Sequence, residues 1–139
     1  PLLPPHLFVQ ALLLGSAFLL PLAIYVSTIN GRAAPIDEQL MWLLAITSLI
    51  HLLMIWGEVS LTHPTAHARL AVWEMVHGRY RSDFWMGTAL SVLGGLLPWL
   101  GLLHLIPTTL GVAGAPLALI GLMLYENAYV QAGQSVPLA

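Results

Sequence analysis

Cysteine is absent from this chain of 139 residues. The sequence therefore excludes a disulfide, a thiolate zinc site and a cysteine-ligated iron–sulfur cluster held by the chain itself. Charge is scarce as well, because only 7% of the residues are Asp, Glu, Lys or Arg. Soluble domains carry about 25% charged residues. This chain therefore has too few charges to cover a surface that faces water on all sides.

The sequence instead contains three long stretches without charged residues. Hydrophobic residues make up 58% of the chain, and its mean hydropathy is +0.85. Residues 1–31, 39–57 and 84–125 contain no Asp, Glu, Lys or Arg. A helix that crosses the hydrocarbon core of a bilayer needs about 20 apolar residues. The first two stretches each fit one such helix, and the third is long enough for two.

The sequence thus predicts an all-α integral membrane bundle of four helices in one domain. The four helices are predicted at residues 6–28, 38–60, 84–105 and 109–132. Asp37 is predicted to cap the second helix, and Ser82-Asp83 the third. A short amphipathic helix is predicted between helices two and three, within residues 65–77. Its apolar residues recur at three- and four-residue spacing, namely Leu70, Trp73, Val76 and His77.

Four spans place both ends of the chain on one side of the membrane, together with the loop at residues 61–83. We call this face side A and the opposite face side B. At a rise of about 1.5 Å per residue, most ionisable groups fall near side A. These are His6, Glu58, His63, His67, Glu74, His77, Asp83 and Glu126. Side A also carries three of the four arginines, so the positive-inside rule favours a cytoplasmic side A.

Three residues are candidates for a proton path: Glu58, His51 and Glu126. A carboxylate in or near hydrocarbon is costly, so both glutamates are expected to face protein or water and to find hydrogen-bond donors. The candidate donors are Tyr125, Asn127, Arg79 and Arg81. His51 is expected either to bond to Thr47 one turn back or to act as a mid-membrane relay. The alternative for the glutamates is a salt-bridge network that anchors helix ends.

The histidines raise the questions of haem and of metal. His51 lies about 20 Å from side B but His104 only about one turn from it, and this mismatch argues against a shared bis-histidine haem. His63 and His67 have the spacing of helical metal ligands, but Pro64 lies between them and no third ligand is near in sequence. We therefore predict no metal site, no directly bound cofactor and no catalytic residue in this chain.

Ordered landmarks along the chain resemble one protein family. They are Pro1-Leu2-Leu3-Pro4-Pro5-His6-Leu7-Phe8 with Ala11 and Gly15, His63-Pro64-Thr65, Gly78-Arg79-Tyr80, Phe84-Trp85-x-Gly87, Gly94, Pro98 and Ala132-Gly133-Gln134-Ser135-Val136-Pro137-Leu138. In this order they look like the C-terminal four-helix bundle of the NrfD-like, polysulfide-reductase-type (PsrC-type) membrane anchors. That family includes membrane subunits of alternative complex III, and its fold is two four-helix bundles side by side.

The resemblance implies a membrane-anchor subunit of a quinone-linked respiratory oxidoreductase complex in the cytoplasmic (inner) membrane. Such a subunit supports electron transfer between quinol or quinone and an iron–sulfur partner, and it takes part in proton translocation. The family's menaquinone or ubiquinone pocket belongs chiefly to the first bundle, so no quinone ligand is assigned here. Iron–sulfur centres and molybdopterin are expected in partner subunits. The chain itself, which opens without Met or a signal peptide, is expected to be the interior of a longer protein.

Two questions stay open at this level. The resemblance places side A outside the cytoplasm, against the arginine count, so the orientation is not assigned. The alternative function is a structural membrane subunit or a small transporter module without a redox role. A transporter lines its midplane with polar residues from several helices, and this chain offers few there, namely Thr47, Ser48, His51 and Ser91. The lipid bilayer is an expected partner in either case, and nucleic acid is not.

Overall fold

The computed structural model describes residues 3–32 and 34–136, and every regular element within these ranges is a helix. The helices are α1 (Leu3–Ile29), α2 (Pro35–Ser60), α3 (Ala66–Val76), α4 (Arg81–Leu102), α5 (Thr108–Val112) and α6 (Gly114–Ser135). Four spans are long and apolar enough to cross a membrane: α1, α2, α4 and α5 with α6. This confirms the all-α, four-span prediction. Two ends of the landmark series, Pro1-Leu2 and Pro137-Leu138, lie outside the described residues.

Neither Asp37 nor Ser82-Asp83 takes the predicted N-cap position, because each helix begins upstream of it. Pro35 is the first residue of α2, a position where its missing N–H costs nothing. Asp37 therefore lies inside the first turn, where its Oδ2 accepts a hydrogen bond from the Ala34 N–H at 3.2 Å. Likewise α4 begins at Arg81. The Asp83 carboxylate accepts a hydrogen bond from Asn127 Nδ2 at 2.7 Å instead of capping its own helix.

The fourth span is two helices, not the single helix predicted over residues 109–132. The break falls at Ala113, between α5 and α6. Pro116 explains it, since proline has no N–H to donate to the carbonyl of Val112 four residues earlier. The last helix also continues to Ser135, three residues beyond its predicted end.

The short helix α3 forms where it was predicted, but three of the four residues of its apolar stripe are exposed. Thr65 caps it, with Oγ1 accepting from the Ala68 N–H at 3.2 Å. Met75 and Val76 are buried, whereas Leu70 is 44% and Trp73 53% exposed. Hydrophobic periodicity identifies an apolar stripe on a helix. In a membrane protein, however, an apolar side chain can contact lipid as favourably as it contacts the helix bundle. The stripe therefore did not identify which face contacts the bundle.

The buried apolar side chains form two cores, stacked along the membrane normal. The side-B core consists of Leu13, Ala17, Leu20, Leu40, Met41, Leu44, Ala115, Ala118 and Leu122. The side-A core consists of Ile55, Met75, Val76, Phe84, Tyr125, Ala128 and Ala132. In α2 and α6, which contribute to both cores, the residues of the side-B core lie nearer the side-B end of the helix than those of the side-A core. Most buried polar residues of the spans lie between the two cores, whereas Ser16 lies among the side-B core residues of α1 and Asp37 beyond that core.

Candidate functional site: a buried polar layer

A layer of polar side chains separates the two cores, and all four spans contribute to it. We call it the polar layer, and it comprises His6, Gln10, Ser48, His51, Ser91, Tyr125 and Glu126. All of these except Glu126 are at least nine-tenths buried. Glu126 is half-buried. Polar and ionisable groups in a membrane bundle are costly, and they are typical of ion or proton pathways.

The centre of the polar layer is a pair of histidines from α1 and α2. Nε2 of His6 lies 3.1 Å from Nδ1 of His51, and the ring of His51 is fully buried. Since two ring nitrogens can bond only when one carries hydrogen and the other does not, one ring donates and the other accepts. The expected Thr47–His51 bond is wrong, because the Thr47 hydroxyl donates to the carbonyl of Leu43 at 2.7 Å.

Tyr125 of α6 packs against both histidines of the pair. Its ring lies edge-on to His51 at 5.3 Å between centroids and 5.8 Å from His6. Within the described residues, neither the Tyr125 hydroxyl nor Nε2 of His51 has a hydrogen-bond partner. A buried polar atom without a partner costs free energy. Ser48 Oγ and Ser91 Oγ of the layer also lack a partner among the described residues. These four atoms are therefore the places in the layer where a bound water molecule gains most.

Glu126 is held by a glutamine from the first span. Nε2 of Gln10 donates a hydrogen bond to Oε1 of Glu126, which ties α1 to α6. The predicted donors do not include Gln10, and Asn127, one of them, is bonded to Asp83 instead. The sequence did hold a signal for Gln10, since an isolated amide in a long apolar run needs a partner inside the bundle. The Glu126 carboxylate also interacts electrostatically with His6 and Tyr125.

Glu58 lies in the last turn of α2, at the side-A edge of the same cluster. Its carboxylate interacts electrostatically with His6 and with Tyr125. Its backbone carbonyl accepts a hydrogen bond from Nε2 of His63 at 2.8 Å. Glu58 also lines a pocket of about 170 Å³ beneath α3, which we call the α3 pocket. The residues that matter here are Glu58, Ala68, Ala71, Val72, Tyr129 and Gly133.

The structure thus brings all three predicted proton-path residues into one region. His51 and Glu126 belong to the polar layer, and Glu58 lies beside it. His6, Gln10 and Tyr125 complete the group. Of these three, only Tyr125 is predicted from the sequence for this site, as a candidate donor to the glutamates. Their contacts join residues that are far apart in the chain, such as the 116 positions that separate Gln10 from Glu126.

A second polar location occupies side B. Asp37 is buried, and its Oδ1 has no hydrogen-bond partner among the described residues. With Glu38 and His104 it lines a pocket of about 500 Å³ at the side-B end of the bundle. The 14 residues of α2 from Asp37 to His51 correspond to about 21 Å along the helix axis. Leu40, Met41 and Leu44 of the side-B core lie between Asp37 and the polar layer on α2, so the two polar locations are separate.

A metal centre is not evident in the part of the chain that the structure describes, where no three His, Cys, Asp or Glu side chains are grouped to hold an ion. His63, one of the two histidines with metal-like spacing, is bonded to the Glu58 carbonyl.

The fold defines a multi-pass membrane protein with a buried polar layer. None of the family models, curated proteins and solved structures compared with the chain matches it. The function is therefore argued from the polar layer itself.

Proposed function

We propose that this chain is the membrane-anchor part of a quinone-linked respiratory oxidoreductase complex, in which the polar layer moves protons. One observation carries the proposal: the His6–His51 and Gln10–Glu126 pairs lie together inside an otherwise apolar membrane bundle. The ordered landmarks that resemble the NrfD-like family supply the redox context. An iron–sulfur subunit, with or without molybdopterin, is the proposed partner, and the cytoplasmic membrane the proposed location.

The geometry of the polar layer suits proton transfer. A histidine binds and releases protons near neutral pH, and each of its two ring nitrogens can do so. A proton bound at one ring of the pair shifts to the other along the 3.1 Å contact. Burial opposes a cationic ring, and the negative charge of Glu126, within electrostatic range of His6, offsets part of that cost. In this scheme, His6 and His51 carry the proton, and Glu126 balances its charge.

The partner proposal is tested by purifying the protein from native membranes in a mild detergent and identifying what accompanies it. An iron–sulfur subunit in stoichiometric amount is the expected result. A preparation that holds neither an iron–sulfur nor a molybdopterin subunit would contradict the redox assignment.

The proton role is tested in the intact complex with Glu58→Gln and Glu126→Gln, which remove charge at almost constant volume. Both are expected to lower quinone turnover and proton uptake, by about 10²-fold if proton transfer becomes limiting. Glu38→Gln, a side-B carboxylate outside the polar layer, is the matched control and should keep full turnover. Wild-type turnover and proton uptake in both test variants would rule out the proton role.

A small proton-coupled transporter is the second candidate. The observation in its favour is that all four spans contribute to the polar layer, as a transporter site requires. A transporter would be isolated without redox partners, and proteoliposomes of the chain alone would accumulate a solute when a proton gradient is applied. The same Glu126→Gln variant would abolish that accumulation.

A further inference from the structure

The α3 pocket lies between the polar layer and side A. Its volume of about 170 Å³ has room for several water molecules, since water occupies about 30 Å³ in the liquid. Glu58 and Tyr129 give the pocket polar atoms, and the ring of Tyr129 stacks on Tyr125 at 6.1 Å. Tyr125 in turn contacts His6 and His51. Ring contacts of Tyr129 and Tyr125 therefore connect the pocket to the histidine pair, and the Glu58 carboxylate lies within electrostatic range of His6.

Small residues keep the pocket open. Ala68 and Ala71 of α3 and Gly133 of α6 line it, and each of these side chains ends at or before Cβ. α3 itself covers the pocket, with Met75 and Val76 packed into the side-A core. A larger side chain on the inner face of α3 would occupy the space without disturbing the membrane spans.

Toward side B, apolar side chains cover the polar layer. On α2, the residues that follow Ser48 toward side B on the buried face are Leu44, 0% exposed, and Met41, 2% exposed. Both belong to the side-B core, together with apolar residues of α1 and α6. Thr47, next to Ser48, is also buried, but its hydroxyl donates to the Leu43 carbonyl of its own helix. Among the described residues of α2, the next buried polar side chain beyond Thr47 toward side B is Asp37. A largely apolar segment therefore separates the polar layer from side B.

We infer that the α3 pocket is a water site through which the polar layer exchanges protons with side A alone. A proton that arrives from side A as hydronium in the pocket binds to the Glu58 carboxylate and leaves water behind, and the reverse step returns the proton to water. This inference deepens the proposed function by assigning a direction to its proton path. It concerns water access, which is measurable without turnover, so its failure is distinguishable from failure of the redox assignment.

Thiol labelling tests the pocket directly, because a chain without cysteine gives each introduced thiol a clean background. The reporter is Val72→Cys, and the probe is a small, membrane-impermeant, cationic methanethiosulfonate. The reactive form is the thiolate, which forms readily only where water reaches the sulfur. In sealed vesicles, Val72→Cys is expected to react from the same side as Thr62→Cys, an exposed side-A residue, and not from the side of Asn30→Cys on side B.

A plug variant supplies the decisive comparison. Ala71→Leu, which fills the pocket, is expected to slow labelling of Val72→Cys by about tenfold, because it removes the water that supports the thiolate. Ala66→Leu, at an exposed position of the same helix, should leave the rate unchanged. Glu58→Cys is the second reporter and should behave in the same way. An unreactive thiol at both reporters, or equal rates with and without Ala71→Leu, would overturn the inference.

The closed side is tested with Ser48→Cys, a nearly isosteric change at the side-B edge of the polar layer. Silver ion, a small thiol-reactive cation, is added from side B. No reaction is expected, because Leu44 and Met41 lie in between. Reaction from side B would show an open path across the bundle and would overturn the one-sided assignment.

Discussion

Nε2 of His6 and Nδ1 of His51 lie 3.1 Å apart, which joins the first turn of α1 to the side-A half of α2. Both rings are buried, and Tyr125 of α6 packs against both of them. Three spans therefore meet at one hydrogen bond, with the carboxylates of Glu58 and Glu126 in electrostatic range of His6. This bond is both a packing contact and the proposed path of the proton, and these two roles can be measured apart.

The packing role predicts a favourable coupling energy between His6 and His51. Hydrogen bonds between membrane helices average about 0.6 kcal/mol and reach about 1.7 kcal/mol. A double-mutant cycle with His6→Leu and His51→Leu should give a coupling within this range, measured by unfolding in mixed micelles. Thr88→Val combined with His51→Leu is the control, because the Thr88 hydroxyl bonds within its own helix, to the Phe84 carbonyl. Additive losses in the histidine cycle would mean that the contact contributes no stability.

Gln10→Leu is predicted to destabilise the protein by about 1–3 kcal/mol, because it leaves the Glu126 carboxylate without its donor. Replacing both partners, as Gln10→Leu with Glu126→Leu, should recover most of that loss, since no polar group is then left unpaired. The free energy of unfolding in detergent is the measurement. Gln131→Leu, at an exposed position of α6, should have little effect. A double variant no more stable than Gln10→Leu would argue against the pair.

The sequence was sufficient for the spans, because the run of apolar residues that a bilayer requires is a local property. It was also sufficient to place Glu58 and Glu126 near side A, since depth follows from counting residues along a helix. Partners such as Gln10 were not predictable, because they depend on how each helix is rotated about its axis. In lipid, the hydrophobic pattern does not fix that rotation. Leu70 and Trp73 of α3 are a further example, because both are apolar and yet face outward.

Close packing of α4 on α6 predicts opposite effects for two glycine substitutions. A Cβ at Gly94 would lie 2.6 Å from the Cα of Ala118, so Gly94→Ala should cost about 1–3 kcal/mol through overpacking. A Cβ at Gly15 would meet nothing within 4 Å, so Gly15→Ala should stabilise α1 by about 0.5–1 kcal/mol. Thermal unfolding of both variants in one detergent gives the comparison. A stabilising Gly94→Ala would contradict the close approach of these two helices.

His104 predicts a stabilising substitution at the end of α4. Its φ of 57° is in the left-handed region, where an L residue is disfavoured. Its N–H donates to the Gly101 carbonyl at 3.1 Å, and the Leu105 N–H donates to that of Leu100 at 3.0 Å. This is the Schellman arrangement, in which glycine usually takes the position that His104 holds. His104→Gly is therefore expected to raise the free energy of unfolding by about 0.5–1 kcal/mol.

His104→Val is the matched opposite of that change, because a β-branched residue fits the left-handed region worst. It should lower the melting temperature in detergent, whereas His104→Gly should raise it. The order Gly, His, Val in stability is the signature of backbone strain at this position. If both variants lose stability to the same extent, contacts of the imidazole with the side-B pocket, and not its backbone conformation, determine the residue's contribution.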